Sequence, residues 1–304
     1  MATYDELAAD LARGIADGSW APGDVVPSAR QLADDRGISS ATAGRALREL
    51  SHAGIIAGAP RRRARVTSDG AARAWGWLRG TAALRLAGSD DPLLVRLLEL
   101  ADAPVVRLPG TGSAAGLQAL WADEADSASL HLRTPDGRYN APFVASLLAD
   151  RRPALVHLWR RDQGIAVAAG RARDIGGLGD LVDLRVALRP PGTGTRNLLE
   201  QLAREQGIDP ATFDGPTLTS HLDVAVAIAT GTADAGITVR SAAHLLDLAF
   251  LTLTSEPFEL AIAADQLPRL DPILASAASD RFRELADRLG YDLTNTGQTR
   301  ILAN

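Results

Sequence analysis

Lysine is absent from this chain. All 32 of its basic residues are arginine, and cysteine is missing too. Without lysine there is no pyridoxal Schiff base and no phosphate loop of the lysine-bearing kind. Without cysteine there are no disulfides, thiolate metal sites or cysteine nucleophiles. No apolar run approaches the ~18 residues a membrane span needs. The opening MATYDELAAD is too acidic and polar for a signal peptide, so a cytoplasmic protein without membrane contact is expected. The five histidines, His52, His131, His157, His221 and His244, are scattered. They show no metal-ligand spacing and no nucleophile–base pairing, so neither a metal site nor catalysis is expected.

What is present suffices for two or three globular domains: 304 residues, 46% hydrophobic and 23% charged. The net charge of −5 argues against indiscriminate nucleic-acid binding by the whole surface. The charge is unevenly placed. Between Arg30 and Arg65, eight Arg face only Asp34, Asp35 and Glu49, a local balance of +5 that leaves −10 for the remainder. Such asymmetry marks a separate basic module.

Within that module, Leu7, Leu11 and Ile15 recur at helical spacing up to Gly18, and Pro22, Gly23 and Pro27 break the chain. A second short helix follows, with Ser28 as N-cap and Gly37 at its end. A third starts at Ser39 or Ser40 and stops at Gly54. Two short helices about a Gly-containing turn suit a helix-turn-helix, and IIAGAPRRRARVTS reads as two β-prone runs around an Arg-rich tip. The ordered anchors YDELA, IADG, PGD, PSARQLA, GISSAT, RALREL and GII resemble the winged helix-turn-helix of the GntR family of bacterial regulators. That resemblance implies that Arg30 touches the DNA backbone and that Ser40, Thr42 and Arg45 lie on the recognition helix. It also sends the wing residues Arg61, Arg62, Arg63 and Arg65 to the minor groove or phosphates. The family often carries Arg where Ser40 and Gly44 stand here, and a Gly-rich wing. Affinity is thereby shifted toward the wing.

The stretch DGAARAWGWLRG joins the modules, with Trp75 and Trp77 either packing the domains together or capping the second core. Beyond it, β-prone runs such as ALRLAG, SASLHLR, ALVHLW, GIAVAAG, AGITV and FELAIA alternate with helical segments. That alternation predicts parallel sheets covered by helices on both faces, with ligands beyond the carboxyl ends of the strands. Four strand-to-helix turns present hydroxyls and free N–H groups: Gly88–Pro92, Gly110–Ser113, Gly192–Arg196 and Thr219–His221. One such turn is an N-cap; four together point to a convergent anion site.

The motifs GSDDP, GSAAGLQAL, HLRTPDGRYNAPFV, RRDQGIAVAAG, PGTGTRNLL and SHLDVAVAIATGTADAGI resemble the periplasmic-binding-protein-like domain attached to some regulators and molybdenum-cofactor proteins. The fold class expected is therefore α/β, an N-terminal winged helix-turn-helix plus a two-lobed periplasmic-binding-protein-like domain. The expected divisions are a DNA-binding domain at 1–68, a linker at 69–79 and an effector domain at 80–304. One lobe is expected over about 80–157 and 245–304 and the other over about 158–244, with hinge strands near LVHLWRRDQGIAVAA and LDLAFLTLT. The resemblance draws ligand-binding Ser89, Thr111 and Ser113 from the first lobe, with His131 and Asn140 from its HLRTPDGRYN motif. It draws Thr193, Gly194, Thr195, Arg196 and His221 from the second lobe, and Gln163 across the hinge. Asp90 stands where the family often has His.

A tetrahedral oxyanion suits a cage of helix N-termini and hydroxyls. The kinship with molybdenum proteins puts molybdate or tungstate first as effector, with no resident cofactor. The alternatives are a small carboxylate or phosphorylated metabolite paired with Arg196, or an enzyme of molybdenum-cofactor metabolism. The leading expectation is a ligand-responsive regulator that binds a palindromic operator as a homodimer, since so small a DNA-binding domain rarely achieves specificity alone.

Overall fold

The structure is a computed structural model that describes residues 4–58, 63–78, 80, 83–101, 103–108 and 112–302. The chain divides into two compact units, Met1–Arg85 with Ala103–Leu108, and Leu86–Asp102 with Pro109–Asn304.

In the first unit, helix α1 (Tyr4–Ala16) lays Leu7, Leu11 and Ile15 on one core with Leu32 of α2 (Ala29–Arg36) and Ala43, Ala46 and Leu50 of α3 (Ser40–His52). The caps are local. Ser28 and Gln31 form a reciprocal capping box at α2, Gly37 ends that helix at φ 63°, and Ser39 caps α3. The wing pairs β1 (Ile56–Ala57) with β2 (Arg65–Val66) antiparallel, and Ile56 and Val66 close the core from above. The segment expected to link the modules holds a helix, α4 (Gly70–Leu78), in which Ala74 and Trp77 repeat at a spacing that lets both rest on this core. Trp75 turns outward, its indole N–H donating to the Ala16 carbonyl at 3.1 Å. After α4 come β3 (Leu84–Gly88), α5 (Pro92–Leu100) and β4 (Val105–Arg107), of which β4 belongs to the first unit.

The second unit continues with α6 (Ser113–Trp121), β5 (Ser127–Leu130), α7 (Ala141–Leu147) and the 15-residue β6 (Pro153–Val167). Then follow β7 (Val186–Ala187), α8 (Gly194–Glu205), α9 (His221–Ala229), β8 (Ala235–Val239) and α10 (Arg240–His244). The chain ends with the 15-residue β9 (Ala249–Ala263), α11 (Asp271–Ala277), α12 (Asp280–Arg288) and β10 (Thr299–Ile301). The strand order is β3-β5-β9-β6-β8-β7, with β10 alongside β6.

This sheet is mixed. β3 and β5 run parallel, as do β7 and β8, but β9 is antiparallel to β5 and to β6, and β6 to β8. The β-prone runs ALVHLW and GIAVAAG are parts of one strand that passes through the RRDQ between them, and LAFLTLT with FELAIA belongs to another. Two separate cores hang on this long pair. One gathers Leu117, Leu130, Val144 and Leu155; the other gathers Ile165, Leu178, Val186, Leu199 and Ile237. The two cores are the two lobes, and β6 and β9 are the crossings. Register shifts at His157/Trp159 and Gln163/Gly164 bracket the crossing segment, where bulges bend a strand and re-aim its side chains.

Candidate functional site

On the first unit, the outer face of α3 exposes Ser40, Ala41, Arg45 and Arg48, while Ala43, Ala46 and Leu50 hold the inner face. Thr42 is half-buried, and its hydroxyl lies 2.8 Å from the Ser39 hydroxyl, so it serves the cap. Arg45 stacks its guanidinium 3.6 Å above the Tyr4 ring centroid. Arg48, not singled out in the sequence, lies back along the space left open by Gly44. Arg30 and Arg63 are exposed, whereas Arg65 donates from Nη1 to the Gly23 carbonyl at 2.6 Å and ties the wing to the turn before α2. Arg61 and Arg62 lie outside the described residues.

On the second unit, the ends of β3 and β5 and the starts of α6, α8 and α9 converge on the crossing strands. β3 ends at Gly88, with φ 106°, where a Cβ would stand 2.3 Å from the Ser129 carbonyl oxygen. Gly116 on α6 would place a Cβ 2.4 Å from Gly88 Cα. The two glycines let α6 descend onto the strand end, so that the hydroxyls of Ser89 and Ser113 share a 2.7 Å hydrogen bond. The Ser113 hydroxyl also accepts from the His131 main-chain N–H at 3.0 Å. The His131 ring then packs flat against the first turn of α8: a Cβ on Gly194 would lie 2.4 Å from its Cε1. Gly112 meets Thr193 in the same way, at 3.1 Å. Ser89, Ser113 and His131 come from the first lobe, and Thr193, Gly194, Thr195 and His221 from the second; all are buried.

Beneath them, the crossing segment supplies an ionic floor. One oxygen of Glu256, Oε1, accepts from Arg161 Nε at 2.9 Å and from Gln163 Nε2 at 2.7 Å, and lies 3.0 Å from His131 Nδ1. Arg161 also donates to Asp91 at 2.5 Å and covers the Phe258 ring, itself stacked on Trp159. Burial opposes the Glu256 charge, but His131 and Arg161 outweigh it and hold the carboxyl below its ordinary range. Burial likewise opposes the Arg161 charge, and Glu256 and Asp91 more than restore it. Asp91 caps α5 and accepts from the Tyr291 hydroxyl, so its role is local.

Asp90 faces the other way. Its Oδ1 accepts from Arg189 Nη2 at 2.5 Å, and its Oδ2 accepts from the His221 main-chain N–H, the first of α9, at 3.0 Å. Burial pushes the His221 ring well below its ordinary pKa, so it is neutral at neutral pH. Burial also opposes the Asp90 carboxylate. The facing His221, the Arg189 charge and both hydrogen bonds hold it far below the usual carboxylate range all the same. With the ring neutral, Arg189 and the main-chain N–H sustain that charge. Neither Asp90 nor Arg189 carried a ligand role in the sequence. The signal available was Arg189 standing directly before the PPGTGT turn.

Two expected ligand residues, Arg196 and Asn140, do not face this cluster freely. Arg196 lies on the side of α8, its Nε donating to Glu200 at 2.7 Å, so its guanidinium is committed one helical turn away. The Asn140 carboxamide accepts from Leu132 N–H at 2.7 Å and donates to Glu259 at 2.9 Å, fixing the turn after β5. Thr111 lies outside the described residues. Buried polar atoms with no partner among the described residues include Arg161 Nη2, Gln163 Oε1, and Arg189 Nε and Nη1. Among those residues no group of His, Asp and Glu could hold a metal, and no helix is long and apolar enough to cross a membrane.

Comparison with known proteins matches both units. A family described as "PBP superfamily domain" matches residues 99–275, and one described as "Bacterial regulatory proteins, gntR family" matches residues 3–66. The Uncharacterized protein YvgK of Bacillus subtilis (strain 168) is 30% identical over 193 residues, which cover 62% of this chain and 63% of that protein. The chain thus spans somewhat less than two thirds of that relative's length. Among solved structures, a mutant of Corynebacterium glutamicum OxyR superposes with TM-score 0.51 at 18% identity, over 94% of this chain and 93% of that one. An H2O2-bound mutant of the same protein gives TM-score 0.50 at 17% identity, over 94% of each chain. At such identities the likeness is one of fold.

Proposed function

From the premise that the chain belongs to the PBP superfamily and carries a GntR-family DNA-binding domain, we propose that it is a cytoplasmic, ligand-responsive transcription regulator. It binds operator DNA through α3 and the wing as a homodimer, and senses a small anion between the lobes of its second unit. One observation supports the anion reading above others: the N-terminal turns of α8 and α9 meet first-lobe groups around a buried arginine, Arg189, two of whose N–H-bearing nitrogens have no partner among the described residues. Lobe closure transmits the signal, because an anion gripped from both sides shifts the equilibrium by its differential affinity for the closed arrangement. The candidates are molybdate and tungstate, through the resemblance described above, and small carboxylates and phosphorylated metabolites. The architecture fits a non-enzymatic regulator.

Two measurements test this. A mobility-shift assay on the DNA upstream of the gene, with and without each anion, must show binding that an anion alters; failure to bind any such DNA removes the regulator reading. A thermal-shift screen of molybdate, tungstate, sulfate, phosphate and small carboxylates must find at least one stabilising ligand. A ligand at about 100 times its Kd adds ~2.7 kcal/mol.

A further inference from the structure

The two neighbouring carboxylates of the first-lobe turn have divided roles. Asp91 caps α5 in its own lobe and pairs with Arg161 of the crossing strand. Asp90 caps nothing in its own lobe. It reaches across and gives one oxygen to each of two donors of the second lobe, Arg189 and the leading N–H of α9. Those are the groups the anion reading assigns to an effector. Arg189 is 3% exposed; besides Asp90 it meets the Thr219 carbonyl, through the same Nη2, while its Nε and Nη1 remain buried and unpartnered among the described residues. Asp90 therefore engages the guanidinium through Nη2 alone, and its departure would free that nitrogen to form a two-pronged edge with an unpartnered neighbour. A carboxylate free of the chain can take a fork-on-fork geometry that Asp90, tethered to its turn, does not reach.

We propose that Asp90 is a built-in competitor: its carboxylate holds the anion position of the second lobe, and the effector, a small singly charged carboxylate, binds by displacing it. This rests on the anion-sensing reading above. The charge count supports a monoanion. The Asp90 side chain, still 23% exposed, is the carboxylate paired with buried Arg189. Moving Asp90 to solvent leaves Arg189 without its counter-charge, so a monocarboxylate restores the original balance, whereas a dianion such as molybdate brings one negative charge more than it replaces. The carboxyl of Asp90 is ionised throughout the physiological range, so the competition is always present. A tethered competitor weakens the apparent affinity of the effector by the fraction of time it holds the site, and it makes the sensor respond only above a set concentration.

The test uses the full-length protein as wild type, Asp90→Ala and Asp90→Asn, with Arg189→Ala as control, after circular dichroism confirms the fold of each. Sodium acetate, sodium formate and sodium molybdate are titrated by calorimetry and thermal shift at constant ionic strength. Asp90→Ala is expected to bind acetate or formate about tenfold or more tightly than wild type does, with a smaller gain for molybdate. Asp90→Asn, which keeps the shape and an acceptor for the His221 N–H, falls between, and Arg189→Ala removes binding. If Asp90→Ala binds these anions more weakly than wild type, or equally, the competitor role is overturned while anion sensing stands. A gain confined to molybdate overturns the monocarboxylate class. If no protein binds any of the three, the anion-sensing reading falls, and this inference with it.

Discussion

Adding one methyl group at Gly194 tests whether the lobes meet as described. The site is the first residue of α8, where alanine gains over glycine at most the ~0.5–1 kcal/mol it gains in a helix interior. Here the added Cβ would stand 2.4, 2.6 and 2.9 Å from three atoms of the His131 ring. Ordinary contact needs roughly 3.5–4.0 Å, so ring and helix must part by about 1 Å. The ring cannot simply tilt, because His131 Nδ1 is seated 3.0 Å from buried Glu256 and its main-chain N–H is held by Ser113. Overpacking of this kind costs about 1–3 kcal/mol. Net of helix propensity, Gly194→Ala should therefore destabilise the protein by roughly 0.5–2 kcal/mol in urea unfolding and weaken the effector response by about three- to thirtyfold. In a double-mutant cycle with His131→Ala, the coupling should reach about 1 kcal/mol or more, since removal of the ring relieves the clash. A Gly194→Ala protein that is more stable than wild type, with unchanged ligand response, would refute the contact between the lobes at this point.

Arg196→Ala should leave anion affinity within about threefold, because its partly exposed i,i+4 pair with Glu200 contributes only ~0.3–0.5 kcal/mol; a titration showing loss of binding would return Arg196 to the site. His221 gives a pH signature. Its folded ring resists protonation while the unfolded ring titrates near 6.5, so the unfolded state takes the proton first. Stability should accordingly fall as pH drops below about 6.5, by up to ~1.4 kcal/mol per unit, a slope that His221→Gln should flatten in urea melts across pH. At the DNA face, replacing Arg61, Arg62 and Arg63 together by Ala should weaken binding to every duplex alike. Read by anisotropy, the salt slope should drop by about 0.9 for each phosphate those arginines neutralise. Arg65→Ala should instead lower the thermal stability of the first unit, because Arg65 holds the Gly23 carbonyl.

Much of the first unit is legible because its determinants are local. Ser28, Gln31, Gly37 and Ser39 each act within four residues of their own position, and the apolar spacing of α1 names the face it buries. The 70–78 segment reads as a linker because its two glycines and two tryptophans look like a connection until a core is available for Ala74 and Trp77. In the second unit, alternation of strands and helices is visible, but strand direction is not. The β-prone runs on either side of RRDQ, and a hinge strand near them, are legible in sequence, but the partner strand along the whole of it, β9, is not.

The sequence by itself settled the chemistry available: guanidinium as the only strong basic group, no thiol, a basic winged helix, and hydroxyl-rich turns at helix starts. These follow from composition and from interactions spanning a few residues. Tertiary structure alone decided which of those groups meet. Asp90 and Arg189 are 99 positions apart, Asp90 and His221 are 131 apart, and no local pattern couples them. Arg196, beside the right turn, is drawn away by Glu200 on its own helix, while Arg189, a few residues earlier in the chain, is buried with hydrogen-bonding capacity to spare. The proposed anion site is thus defined by burial and by partners brought across the crossing strands, and distance along the chain says little about either.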